Sequence, residues 1–326
     1  MKKKNLAYVA LFMFGVLTTG CGGGSGNSGK SNEGAPEITR MKSEFLYDGQ
    51  DAVIYGKNLK GAEVIFPGVD SPAEVKVKES SNEMLVVTVP AGSKSGRIIV
   101  RTAQGEVKSS FYFRDDRNTI VNFDDYLATW GGYNPLDDAG NKIPEIAGNP
   151  LPAKLPDPCS GKYGFLFGEY NAPWTMKEAM FLQYVANPNE GGRGAFSVAG
   201  PYLDYPIENL ALKFEVNIPK EAPYSGIRTE IFFGPYNSPD KHGRDVSPIY
   251  FWEPYKETGS FYTDGWETII IPLSEFTHGI SSDEEVRKLT DLKNATNFSF
   301  VQFGAPVGVP LIFMNVDNFR IVPIAE

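Results

Sequence analysis

Histidine and cysteine are nearly missing from this chain: its 326 residues hold two of each. His242 and His278 stand alone, which argues against a zinc site with its clustered ligands. Cys21 and Cys159 leave room for at most one disulfide, so the fold must rest on cores large enough to stand alone. A membrane-spanning helix needs about 20 apolar residues; the N-terminal apolar run, residues 5–16, is too short. Beyond Lys2, Lys3 and Lys4 no basic cluster relieves a formal charge of −9. Such an acidic surface repels phosphate backbones and argues against a nucleic-acid partner. There is no Gly-x-Ser-x-Gly elbow and no phosphate loop.

What is present starts at the N-terminus. Three lysines, an apolar middle, then Leu17-Thr18-Thr19-Gly20-Cys21 have the layout of a lipoprotein signal peptide. The reading removes residues 1–20, places a lipid on Cys21 and leaves Cys159 without a partner. Thr18 stands where an aliphatic residue is usual. Losing the three lysines takes the formal charge from −9 to −12. Residues 21–35, opening Gly22-Gly23-Gly24-Ser25-Gly26, offer nothing to bury and read as a flexible tether.

From residue 36 onward the apolar runs are short, β-branched and bounded by Gly, Pro, Asn or Asp. Val53-Ile54-Tyr55, Val64-Ile65-Phe66, Leu85-Val86-Val87-Thr88-Val89 and Ile98-Ile99-Val100 predict antiparallel strands. So do residues 210–216, 229–233, 248–252, 268–272, 298–303 and 311–319. A single helix is predicted, over 282–292, with Asp283, Glu284 and Glu285 in its first turn and Arg287 and Lys288 later. The protein reads as all-β, with a polar junction at Arg114-Asp115-Asp116-Arg117-Asn118 dividing 36–114 from 115–326.

Residues 36–114 resemble an Ig-like domain of the IPT/TIG family. The likeness is carried by Pro36-Glu37-Ile38-Thr39, Val53-Ile54-Tyr55-Gly56-Lys57-Asn58-Leu59, Val64-Ile65-Phe66-Pro67-Gly68 and Ile98-Ile99-Val100-Arg101-Thr102. It implies a spacer without chemistry of its own. Asp264-Gly265-Trp266-Glu267-Thr268-Ile269-Ile270-Ile271-Pro272 and Leu311 to Ile321 resemble late strands of jelly-roll carbohydrate-binding domains. Val121-Asn122-Phe123-Asp124-Asp125 is similar to their first strand. The whole is similar to surface glycan-binding lipoproteins of polysaccharide-utilisation systems, of the surface glycan-binding protein B type. That resemblance implies non-catalytic capture of a polysaccharide: a β-glucan, a xyloglucan-like glycan or a mannan. It also implies an outer-membrane lipid anchor facing the cell exterior and a transporter complex as partner. The first acid after Cys21 is Glu33, later than in relatives displayed on the outer face.

Sugar rings have apolar faces and polar edges, so flat aromatic rings with a few polar groups suit them. The candidates are Trp252 and Tyr255 before a Pro turn, Trp130 and Trp174 in loops, and Tyr236, with Glu253, Arg228 and Gln302 as polar partners. Trp266, in the Gly-Trp strand pattern, reads as core. Jelly-roll domains of this kind often hold structural calcium, and Asp124 and Asp317 are the candidate ligands; no cofactor is otherwise required. Two alternatives share these features. A β-sandwich hydrolase or lyase needs paired carboxylates, and no Glu-x-Asp pair falls in a predicted strand. An adhesin would bind protein through a broad apolar patch.

Overall fold

A computed structural model describes residues 34–69, 71, 75–126, 130–132, 134–136, 151–168, 181–185, 198–234, 247–279, 287–293, 295, 297–303 and 312–325. Its strands run β1 Glu37–Met41, β2 Asp51–Lys57, β3 Glu63–Ile65, β4 Lys76–Ser80, β5 Met84–Thr88, β6 Gly96–Thr102 and β7 Gly105–Phe113 in a first sandwich. A second holds β8 Thr119–Val121, β9 Trp130–Gly132, β10 Asn134–Leu136, β11 Tyr163–Gly168, β12 Phe181–Val185, β13 Leu210–Asn217, β14 Arg228–Gly234, β15 Ile249–Trp252, β16 Glu267–Pro272, β17 Asn297–Phe303 and β18 Ile312–Pro323. Every strand pairing is antiparallel. The all-β reading holds.

In the first sandwich, sheet β1-β2-β5-β4 faces sheet β3-β6-β7. Alternation decides the core: Ala52 and Ile54 of β2 and Leu85 and Val87 of β5 are buried, meeting Phe66, Ile98, Val100 and Phe113 from the other sheet. At Gly56, near the end of β2, the glycine is required by proximity. A Cβ there would stand 1.9 Å from the Glu37 carbonyl oxygen of β1. Asn58 takes the positive φ, +56°, as short polar side chains can.

The second sandwich packs a rear sheet, β10-β11-β18-β13-β16 with β8 beside β18, on a front sheet, β15-β14-β17-β12-β9. Their shared core is aromatic: Phe214 stacks on Phe319 with centroids 5.0 Å apart, and Phe298 and Phe300 close on the pair. The chain turns out of β8 sooner than the sequence predicts. Asn122 Oδ1 accepts the backbone N–H groups of Asp124, Asp125 and Tyr126, so the strand ends at Val121 and Asp124 lies in a turn. Phe123, at φ +59°, lays its ring over Gly164, where a Cβ would come within 2.3 Å.

The predicted helix is not found over its described part. Residues 287–292 run without helix; Arg287 N donates to Thr277 O and Leu289 N to Phe276 O, so this segment pairs with 276–277. Leu289 and Leu292 are buried in the core, and tertiary packing overrides the charge pattern. Residues 281–286 lie outside the described residues.

The junction at 114–118 is packed at Asp115 and Asn118, with Asp116 left exposed. The Arg114 guanidinium donates to Leu46 O, Ser93 O and Asp48 Oδ1, while Asn118 Nδ2 donates to Val198, Ala199 and Ile321 carbonyls. Behind it, the outer face of the rear sheet is covered partly by Glu44 and Phe45 of the first sandwich and partly by residues 151–160. Glu44 receives Lys213 Nζ at 2.8 Å and Arg320 at 2.7 Å, and Arg320 also holds Glu215 at 2.8 Å. All four are essentially inaccessible to solvent. Two backbone groups complete the seam: Thr268 N donates to Lys42 O, and Glu44 N to Thr268 Oγ1. Burial disfavours the Arg320 cation, but Glu215 and Glu44 outweigh it and raise its pKa.

Candidate functional site

With the rear sheet's outer face taken by the first sandwich and residues 151–160, the second sandwich has its front sheet on the far side. Side chains alternate along a strand, so one register decides which residues share that face. On β14, Ile231 and Phe233 join the core, and Thr229 bonds inward to the Tyr224 hydroxyl at 2.7 Å. Arg228, Glu230 and Phe232 therefore face out. Two cross-strand rows follow. One is Ile249–Phe232–Ser299–Gln183–Trp130; the next is Phe251–Glu230–Val301–Phe181–Gly132. At about 4.8 Å between strands, five strands span roughly 19 Å. Phe232, Ile249 and Phe251 form an apolar cluster separate from the main core. Phe232 and Phe251 are 3% and 9% exposed, so they make a floor.

The rim of this face is charged. Arg228 lies over the Phe251 ring at 3.8 Å and meets Glu253 at 3.5 Å, and Lys256 reaches the same carboxylate at 2.6 Å. His278 covers Phe251 at 4.6 Å between centroids. Tyr255 stands beside them, its hydroxyl 3.5 Å from Glu253; burial, with help from Glu253 and against Arg228, pushes its pKa up to about 12. On the floor, Asn297 Nδ2 donates to Ser299 Oγ at 3.0 Å. Rings and polar groups alternate over these positions; Ser299, Asn297, Glu230 and Ile249 are buried, and the rim of Arg228, Glu253, Tyr255, Lys256 and His278 is the part open to solvent.

The sequence-derived candidates divide. Arg228, Glu253 and Tyr255 come together at the rim. Trp130 lies in strand β9, not a loop, and its register puts it in the first row. Trp174 and Tyr236 lie outside the described residues, as does His242. Trp252 is corrected: it is 4% exposed, stacked on Tyr224 at 5.4 Å and set edge-on to Phe214 at 5.7 Å. With β14 facing it residue for residue, Trp252 pairs with inward Thr229, so it is a core pillar. Gln302 is corrected likewise: it is buried on the core side, donating to Thr229 Oγ1 at 3.4 Å. Trp266 is core as expected, its Nε1 donating to Asp157 O and its ring edge-on to Tyr163.

Sequence reasoning did not single out the outward-facing positions of the front sheet, Phe232, Phe251, Glu230 and Ser299. The signal was strand parity: whatever face Trp252 takes, Phe251 takes the other.

The calcium expectation meets a poor donor set. Asp317 is fully buried, accepting Ser160 Oγ at 2.9 Å and Asn318 N at 2.7 Å. Asp124 accepts Lys162 N at 2.9 Å. Both carboxylates pin the segment 159–162, and among the described residues no three His, Cys, Asp or Glu side chains gather as a metal site. Cys159 is a free, buried thiol, and burial pushes its pKa up.

Fold and face together define a class: a carbohydrate-binding β-sandwich carried on an Ig-like sandwich. The family model described as the surface glycan-binding protein B xyloglucan binding domain matches residues 113–323, and the chain belongs to that family. It is a glycan binder, not an enzyme. Among solved structures it is similar to surface glycan-binding protein PbSGBP-B from Prevotella bryantii, at 18% identity and a TM-score of 0.65, covering 89% of this chain and 76% of that one. SGBP-B from a complex xyloglucan utilization locus in Bacteroides uniformis follows at 22% and 0.57, covering 89% and 74%. A structure with xylogluco-oligosaccharide gives 18% and 0.57, covering 90% and 59%. These identities show a shared fold. No curated protein matches the chain.

Proposed function

We propose that the protein captures a neutral polysaccharide, xyloglucan or another β-glucan or mannan, on the outer face of its front sheet and delivers it to an import system. The observation that carries this is the register that lines up Trp130 with Gln183, Ser299 and Phe232 on the one face turned away from the first sandwich. Rings would hold the apolar faces of sugars. Amide, hydroxyl and carboxylate groups would take their hydroxyls. Trp174 and Tyr236 are further candidates for the same face, and Arg228, Glu253 and Tyr255 would contact sugar at the rim.

Anchoring is part of the proposal. A lipid on Cys21 and the glycine-rich segment after it would hold the protein at the outer membrane, facing the exterior beside a transporter, where tethering raises the local glycan concentration. The IPT/TIG-like sandwich would hold the face off the bilayer.

Native affinity gels cast with xyloglucan, mixed-linkage glucan and mannan test the binding. Wild type should be retarded by at least one. Trp130→Ala should weaken binding by roughly 1–3 kcal/mol, the range for loss of one aromatic stacking platform, with an unchanged melting temperature. Retention by none, or equal retention of Trp130→Ala, would sink the assignment of this face.

A further inference from the structure

We propose that His278 forms an end subsite of the glycan face, taking a hydroxyl of the sugar unit that overhangs the open edge of β15. The proposal rests on the glycan-capture reading of the front sheet and extends its Trp130 row by one position.

The backbone puts His278 there. Ile249 N donates to His278 O at 2.9 Å, and His278 N donates to Ile249 O at 3.0 Å. Residues paired in this way across an antiparallel ladder show their side chains on the same face. Ile249 belongs to the outward cluster with Phe232 and Phe251, so His278 faces out beside it. Its ring meets Phe251 at 4.6 Å between centroids. The row from Trp130 through Gln183, Ser299 and Phe232 to Ile249 therefore ends on an imidazole.

The same pairing opens a second polar position. Ile249 turns its N–H and C=O away from β14, and Phe251, two residues on, does likewise. The residue opposite Phe251 would be Phe276, which leaves the ladder. Its N donates to Leu273 O, its O accepts Leu289 N and its ring packs on Phe233 in the core. Among the described residues the outward N–H and C=O of Phe251 thus have no partner.

What is left uncommitted at the rim sets the chemistry. The Glu253 carboxylate is occupied by Arg228, Lys256 and the Tyr255 hydroxyl. His278 is half-buried, and its Nδ1 stands 3.4 Å from Thr277 Oγ1. Among the described residues its Nε2 has no partner. That nitrogen donates or accepts one hydrogen bond, and a sugar hydroxyl does either, so the contact holds in both protonation states of the ring. The Phe251 ring lies under Arg228 and against His278, so this edge offers hydrogen bonds in place of a stacking platform. It also selects for length: a chain must run from Trp130 across all five strands, roughly 19 Å, to reach it.

The test uses the full chain, with calorimetry on a short and a long xyloglucan oligosaccharide and thermal melting as the control. His278→Leu keeps an apolar cover over Phe251 and the backbone pair with Ile249, so it should melt with wild type. It should bind the short oligosaccharide, which Trp130 holds, as wild type does, and lose about fivefold on the long one, the worth of one neutral hydrogen bond. His278→Gln restores a donor and an acceptor and should return to within about twofold of wild type. If His278→Leu binds the long oligosaccharide like wild type while Trp130→Ala is lost, the end subsite is wrong and the front face stands. Equal weakening on short and long by His278→Leu, unrelieved in His278→Gln, would show that the ring acts through packing on Phe251 and touches no sugar. Should xyloglucan fail to bind wild type, the variants are read on oligosaccharides of whichever glucan or mannan does; binding of none overturns both proposals.

Discussion

The two outer faces of the second sandwich carry similar residues to opposite ends. On the rear sheet Lys213, Glu215 and Arg320 alternate with Leu212, Phe214 and Ile321, the pattern of a strand with one wet side. On the front sheet Arg228 and Glu230 alternate with Thr229 and Ile231. Yet the rear charges are sealed beneath the first sandwich against Glu44, and on the front sheet Glu230 is buried as well, while Arg228 at the rim keeps partial access to solvent. A charged strand residue therefore says that a side chain leaves the core, not that it reaches water. The rear face shows what Glu44 adds: two carboxylates and two cations that close on one another, neutral as a set. Sandwich and spacer meet through a matched ionic seam, so the first sandwich is a structural part of the second.

Breaking that seam should give the largest effect. Glu44→Ala leaves Lys213 and Arg320 buried with one carboxylate between them. Removing one partner of a buried pair costs about 3–5 kcal/mol, to be read by chemical denaturation of the full chain. Adding Lys213→Met removes one orphaned charge and should recover part of the loss. A Glu44→Ala loss below about 1 kcal/mol, within the range of an exposed pair, would show that the seam is wet.

Next comes the contrast between neighbouring rings. Trp252→Ala empties a site between Tyr224, Phe214 and Phe261 and should cost about 3–5 kcal/mol of stability. Its effect on glycan retention should vanish once retention is scaled to folded protein. Trp130→Ala should do the reverse, losing affinity at full stability. If Trp252→Ala leaves stability intact and removes binding, the parity that separates core from front face is wrong.

These two rings mark how far the sequence could be read. The predicted strands at 210–216, 229–233, 268–272 and 298–303 match β13, β14, β16 and β17 within a residue or so, because β-branched runs between turn formers have one economical conformation. Trp266 was legible as core from its place in a strand pattern. Facing was not legible. Ile249-Tyr250-Phe251-Trp252 is apolar at both parities, so nothing in it separates Trp252, in the core, from Phe251, on the front face. Lys213 and Glu215 could not be seen as buried, since their cover comes from Glu44, some 170 residues earlier in the chain. The acid-first, base-later order at 282–292 mimicked a helix because local charge carries no record of Phe276 and Thr277, which claim that backbone.

The smallest expected effect sharpens the rear face itself. Asp317 lies buried at the end of the ionic seam, and burial pushes its pKa well above the usual carboxylate range, with Glu215 adding and Ser160 and Asn318 opposing. The folded state therefore holds a proton that the unfolded chain gives up. By linkage, the contribution of Asp317 is fully present below its unfolded pKa and is lost as pH rises through its higher folded one. Asp317→Asn removes this titration while keeping an acceptor for Ser160. Its stability should fall less between pH 5 and 8, as set points, than that of wild type, with the variant gaining most at the upper end. Front-face binding, measured alongside, should not follow. A parallel pH dependence in glycan affinity would mean that the two faces are coupled through β18 and not, as the packing implies, independent.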